Sequence, residues 1–300
     1  MNRTSALVIT FLLASLAHAQ LKPNDRLAII GDSITEQKQY SVFIEDYLLM
    51  CKPVPGVRTM QFGWGGETSW GFLARLENDC LPFKPTLAMT SLGMNDGGYG
   101  PVNQERLEKY RTAMNGLVDA FEQSGVRVVL GSPGVIDQNT AFRKDRARTD
   151  VYNQTLKAER DAVEAIAKSR GLPFADVYTP MMNVMLQAEA KYGADYHVAG
   201  ADGVHPSANG HLVMAYAFLK ALGCDGNIAT ITVDLNSKQA SATDGQTVKG
   251  FDGQSLTIES TRYPFCFPIQ TQLEGKLDDP NNPRGVLEFL PYNQELNRYT

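Results

Sequence analysis

Arg26-Leu27-Ala28-Ile29-Ile30 runs directly into Gly31-Asp32-Ser33-Ile34-Thr35, and the reading of this stretch decides the fold. A short apolar run rich in β-branched residues reads as a strand, and a tight Gly-Asp-Ser turn at its end presents a hydroxyl. Similar runs follow at Val57 to Phe62, Thr86 to Leu92, Val126 to Leu130 and Pro173 to Val177. Between them lie longer stretches of helical period. Leu107, Tyr110, Met114, Leu117, Val118 and Phe121 recur three or four apart, and Gly125 stops that helix; a second helix spans about Asn209 to Leu222, closed by Gly223. Alternation of this kind predicts β-α units in a doubly wound, flavodoxin-like α/β fold, with about five parallel strands and helices on both faces.

Outward from this core, the N-terminus begins with Arg3, continues apolar from Ala6 to Leu16 and ends in Ala17-His18-Ala19. This pattern predicts a signal peptide over residues 1–19, cleaved after Ala19, and hence a secreted or periplasmic protein. The apolar run is shorter than the roughly 20 residues a membrane span requires. Position 20 is Gln, so no lipidated cysteine follows the cleavage site. The main domain is expected over 20–225. After Gly223 the texture changes: Ile228 to Leu235 and Ser255 to Glu259 read as strands, with turns at Asp244-Gly245 and Asp252-Gly253. Residues 226–300 are therefore expected to form a small β-rich extension, and apolar content up to Thr300 suggests a truncated module.

Composition narrows the function classes. The 300 residues are 43% apolar with a formal net charge of -5 and scattered basic residues, which speaks against a nucleic-acid or anionic-membrane binder. Cys51, Cys80, Cys224 and Cys266 form no C-x-x-C pair, so zinc and redox motifs are not indicated. In an oxidising compartment the most local pairing is Cys51 with Cys80 and Cys224 with Cys266. Oligomeric state leaves no signature.

Four segments carry chemistry: Gly31-Asp32-Ser33-Ile34-Thr35, Gly63-Trp64-Gly65-Gly66-Glu67-Thr68, Gly93-Met94-Asn95-Asp96-Gly97 and Asp202-Gly203-Val204-His205-Pro206. Acyl transfer requires a hydroxyl, a base, a carboxylate to orient the base, and donors for the oxyanion. The first three segments directly follow the first three strands, so they fall at the carboxyl end of the sheet, where open α/β folds place their sites.

In order and spacing, over about residues 25–222, these segments resemble the signature blocks of the SGNH hydrolases, also called GDSL esterases and lipases. The resemblance implies Ser33 as nucleophile, His205 as base and Asp202 as its partner. It implies the N–H groups of Ser33 and Gly66 and the Asn95 amide as the oxyanion hole. The second block lacks the Asn that often precedes its glycines, which leaves Gly65 as the other oxyanion candidate; Glu67-Thr68 favours Gly66. His197 and His211 are the other histidines of the mature chain. His211 falls within a helix, and a metal site joining Asp195 and His197 to Asp202 and His205 fits no standard ligand spacing. Asp32 and Asp96 are expected to brace their own turns. Trp64, Met94 and Tyr99, with Trp70, are candidates for an aromatic and apolar substrate wall, or for core.

No metal or organic cofactor is implied. The expected partner is an ester substrate, by family analogy a polysaccharide bearing acetyl groups. A lipase, lysophospholipase or thioesterase is the alternative enzyme, and a carbohydrate-binding surface module the alternative class.

Overall fold

A computed structural model describes residues 21–137, 139–140, 146–243, 245–268 and 270–299. The signal peptide expected over 1–19 lies outside the described residues. Strands β1 (Arg26–Gly31), β2 (Arg58–Gly63), β3 (Leu87–Ser91), β4 (Arg127–Gly131) and β5 (Phe174–Ala175) form a parallel sheet in the order β2-β1-β3-β4-β5. In β1, Leu27 and Ile29 enter one apolar cluster while Ala28 and Ile30 enter another on the opposite face. β4 divides in the same way, Val129 to one side and Val128 and Leu130 to the other. Central strands of this kind need apolar residues at every position, because both faces are covered.

On one face lie α2 (Gln39–Met50), α6 (Tyr178–Tyr192) and α7 (Ala208–Ala221), and on the other α3 (Ser69–Asp79) and α4 (Gln104–Gln123). The long α5 (Arg146–Arg170) contributes to both, with Tyr152 and Leu156 on the first and Val163 and Ile166 on the second. The short α1 (Ser33–Glu36) follows β1 without a loop.

The register aligns Gly31 with Gly63 and Ser91, Ser91 with Gly131, and Gly131 with Ala175. A row of small residues thus closes the carboxyl edge of the sheet. At Gly63 a Cβ would stand 2.4 Å from the Glu36 nitrogen, so the absent side chain lets α1 lie against the edge.

The extension departs in part from expectation. The run from Ile228 to Leu235 is two strands, β6 (Asn227–Ala229) and β7 (Ile231–Asp234), because each half has a different partner. β7 pairs with β8 (Gln239–Ala242) and β9 (Gln246–Phe251) with β10 (Leu256–Ser260), both antiparallel. Beyond Ser260 the chain is mostly irregular. It carries Phe265, Phe267, Val286, Leu290, Tyr292 and Leu296 into the core beside α2 and α7, through α8 (Tyr292–Leu296), before β11 (Arg298–Tyr299) pairs in parallel with β6. This return packing explains why α7 is buried almost all round.

The local disulfide pairing is not found: all four cysteines are free thiols. Cys51 packs in the cluster on one face of the sheet and Cys80 in that on the other, while Cys224 is buried and Cys266 exposed. Burial raises the thiols of Cys51, Cys80 and Cys224 to about 12. Among the described residues no helix is long and apolar enough to cross a membrane.

Candidate active site

The Ser33 turn is built by its neighbour. Asp32 is the N-cap of α1 and accepts a hydrogen bond from the Ile34 N–H at 2.9 Å, as expected of a turn brace. Its carboxyl is buried, and burial, reinforced by the nearby Asp96 and opposed by the Ile34 bond and by His205, raises it to about 7.

Ser33 points the other way. Its Oγ lies 2.8 Å from His205 Nε2, and His205 Nδ1 lies 2.6 Å from Asp202 Oδ2. A carboxylate at Nδ1 requires the proton there, which leaves Nε2 as acceptor for the Ser33 hydroxyl. Asp202 Oδ1 takes the backbone N–H groups of Val204 and His205, each at 2.9 Å. Partial burial opposes ionisation of Asp202, but these bonds and the His205 ring outweigh it and hold the carboxyl below its ordinary value.

The loop carrying Asp202 and His205 is tied down from below. Asp137, fully buried after β4, accepts from His197 Nδ1 at 2.8 Å and from the Asn139 N–H at 2.7 Å, and its own N–H donates to the Gly203 carbonyl at 2.9 Å. Glu189 stands beside this pair, raised to about 7 by burial and by Asp137. His197 is thus bound to Asp137. His211 is buried in α7, its Nε2 2.9 Å from Gln37 Oε1 and its ring stacked on Tyr40, and burial lowers it to about 3. An imidazole neutral at any working pH, and already engaged, is a packing group.

Beside Ser33, the second and third segments brace each other. Asn95 Nδ2 donates to the Glu67 carbonyl at 3.0 Å, and Asp96 Oδ1 accepts from both the N–H (2.8 Å) and the hydroxyl of Ser69 at the start of α3. Asp96 therefore holds the neighbouring segment in place. Its carboxyl is raised to about 6, chiefly by burial. Gly66 has a left-handed φ of +75° with open space where a Cβ would stand, whereas a Cβ on Gly65 would lie 3.1 Å from Glu36 Oε2. Glu67 pairs with Arg75 at 2.6 Å, and Thr68 caps α3.

The substrate wall needs correction. Met94 is 2% exposed and belongs to the core, where it lines a small void of about 10 Å³ with Asp32, Ile34 and Pro206. Trp70 carries the ammonium of Lys109 over its ring at 3.8 Å. The Tyr99 hydroxyl is engaged, donating to Asn95 Oδ1 at 2.7 Å. Trp64, 65% exposed and next to the glycine pair, is the open aromatic surface at the site. Ser69, Tyr152 and the Asp137–His197 pair were not anticipated. Tyr152 donates to the Met94 carbonyl at 2.6 Å from a helix 58 residues away in sequence, and no local pattern signals such a partner.

The model of the GDSL-like lipase/acylhydrolase family matches residues 29–213. An acetylxylan esterase of Geobacillus stearothermophilus is 26% identical over 220 residues, which cover 66% of this chain and 94% of that protein. The solved structure of a catalytic mutant of an acetylxylan esterase from the same organism superposes with a TM-score of 0.55 at 25% identity, over 68% of this chain and 96% of that one. A gut microbial diltiazem-metabolizing enzyme matches more of the molecule: TM-score 0.70 and 25% identity, over 94% of this chain and 68% of the other.

Proposed function

Because the chain belongs to the GDSL-like lipase/acylhydrolase family and is a carboxylic ester hydrolase, we propose that Ser33, His205 and Asp202 carry its chemistry and that it removes small acyl groups, acetyl above all, from carbohydrate. The observation that carries this reading is the unbroken relay from Ser33 Oγ through His205 to Asp202, with bonds of 2.8 and 2.6 Å.

As Ser33 attacks the ester carbonyl, its proton passes to His205 Nε2. Asp202 holds the Nδ1 tautomer and stabilises the imidazolium that forms. Negative charge developing on the carbonyl oxygen is received by the N–H groups of Ser33 and Gly66 and by the Asn95 amide. His205 then protonates the departing alcohol, leaving an acyl-Ser33 ester. Water enters, gives its proton to His205 and releases the acid by the same steps.

The relatives of the catalytic domain include acetylxylan esterases, which favours a small acyl group. Exposed Trp64 presents an apolar face on which a sugar ring can stack. The leader-like N-terminus supports a place outside the cytoplasm, where acylated polysaccharide is met.

The test is hydrolysis of p-nitrophenyl esters of two to twelve carbons and acetate release from acetylated xylan, each beside Ser33→Ala. The reading expects turnover to fall by about four orders of magnitude or more in the variant, with acetyl esters preferred. A preference rising with chain length would replace it with a lipase, and retained turnover in Ser33→Ala would remove Ser33 from the mechanism.

A further inference from the structure

An asparagine that stabilises an oxyanion has an orientation problem. Its amide turns about a soft torsion with two wells half a turn apart, and the wrong well presents oxygen to oxygen. In this chain Asn95 is held at both ends. The Glu67 carbonyl, 3.0 Å away, can only accept, so the atom facing it is Nδ2. The Tyr99 hydroxyl, 2.7 Å from the other end, must then donate to Oδ1. One N–H of Nδ2 is spent on Glu67, and the second is left for the substrate.

We propose that Tyr99 is a positioning residue for ester hydrolysis: through its bond to Oδ1 it fixes the plane of the Asn95 amide and polarises it, so that the second Nδ2–H is a stronger donor to the developing oxyanion. The proposal rests on the reading of Asn95 as an oxyanion donor. Hydrogen bonds in series reinforce one another, and a donor on the amide oxygen draws electron density from the amide nitrogen. Charge on the substrate oxygen grows only in the transition state, so the benefit falls on kcat and not on binding.

The backbone around Tyr99 is arranged to deliver that hydroxyl. Tyr99 has φ +58°, a left-handed conformation that bulky L-residues avoid, and it follows Gly98 at φ +70°. Such a conformation persists where surrounding structure determines it, and it clusters at functional sites. Here the surrounding structure is Tyr152 of α5. Its ring lies 5.0 Å from that of Tyr99 between centroids, tilted by 30°, while its hydroxyl donates to the Met94 carbonyl at 2.6 Å. Tyr152 thus grips the Met94–Tyr99 turn at both ends, one residue before Asn95 and four residues after it.

The test is a double-mutant cycle on p-nitrophenyl acetate with Tyr99→Phe, Asn95→Ala and the double variant. Tyr99→Phe keeps the ring against Tyr152 and removes only the oxygen. It should lower kcat about tenfold with KM unchanged, while Asn95→Ala lowers kcat by about two to three orders of magnitude. In the Asn95→Ala background, Tyr99→Phe should add less than about a twofold loss.

Inhibition by a phenylboronic acid, which forms a tetrahedral adduct on Ser33, supplies a second readout: Tyr99→Phe should weaken it by about the same factor as kcat. A purely packing role for Tyr99 would leave this selectivity unmoved. An equal loss with and without Asn95, a loss confined to KM, or no loss at all while Asn95→Ala is damaging would overturn the proposal alone. An Asn95→Ala enzyme with unaltered kcat would overturn both the proposal and the oxyanion reading on which it rests.

Discussion

Asp32 and Ser33 are adjacent in the chain and opposite in environment: the carboxyl is buried under α1, and the hydroxyl faces His205. Burial raises Asp32 from its ordinary 3.8 to about 7, so between roughly pH 4 and 7 the folded protein keeps a proton that the unfolded chain has released. Stability contributed by this group therefore falls as pH rises through that window. Asn at position 32 can still accept from Ile34 but cannot ionise. The difference in unfolding free energy, Asp32→Asn minus parent, should move in favour of the variant between pH 5 and pH 8. Urea denaturation at both values checks this, and a difference independent of pH would contradict it. Ser33, Asn95 and His205 stand out in the sequence because their residue types follow directly from the chemistry and sit in short motifs. Tyr99 does not stand out as a partner of Asn95. That role depends on one left-handed φ and on a ring supplied by another helix.

Elements were legible where local pattern decides them. β1 to β4 fall within about one residue of their apolar runs. β5 is shorter than Pro173 to Val177, because the N–H groups of Val177 and Tyr178 turn aside to the Ser132 hydroxyl, at 2.9 and 3.1 Å, and leave the ladder. The loop bearing Asp202 and His205 carries its motif in sequence but not its support. Its anchor beneath, Asp137 with His197, joins residues 60 apart that meet only after β4 and α6 are in place. His197→Ala leaves a buried acceptor short of a donor and frees the loop from below. It should cost about 1–3 kcal/mol of stability, and displacement of His205 should lower kcat about tenfold or more. Chemical denaturation with steady-state kinetics checks both, and a variant with parental values in each would mean that the loop holds its shape unaided.

At the scale of the molecule, the second half of the extension is part of the core. Tyr292 is fully buried against Phe265, Phe267 and Tyr216, and Tyr292→Ala should cost about 3–5 kcal/mol. Thermal unfolding measures it, and a shift below one degree would show the strap to be dispensable. The two hairpins differ, with side chains mostly exposed or half-exposed along β7 to β10. Sequence alone could not separate these halves, since Phe265 and Tyr292 read as ordinary aromatics until the face of α7 that they cover is known. The parallel pairing of β11 with β6 carries a consequence of its own. Arg298 aligns with Asn227, so everything between them is an excursion whose two feet stand side by side. The entropy of closing such an excursion grows only with the logarithm of its length, about 0.6 kcal/mol for each doubling. The scaffold is therefore a socket: the hairpins can be exchanged, lengthened or pared back as cargo, while the feet and the aromatic plug stay seated and the catalytic edge of the sheet registers no change.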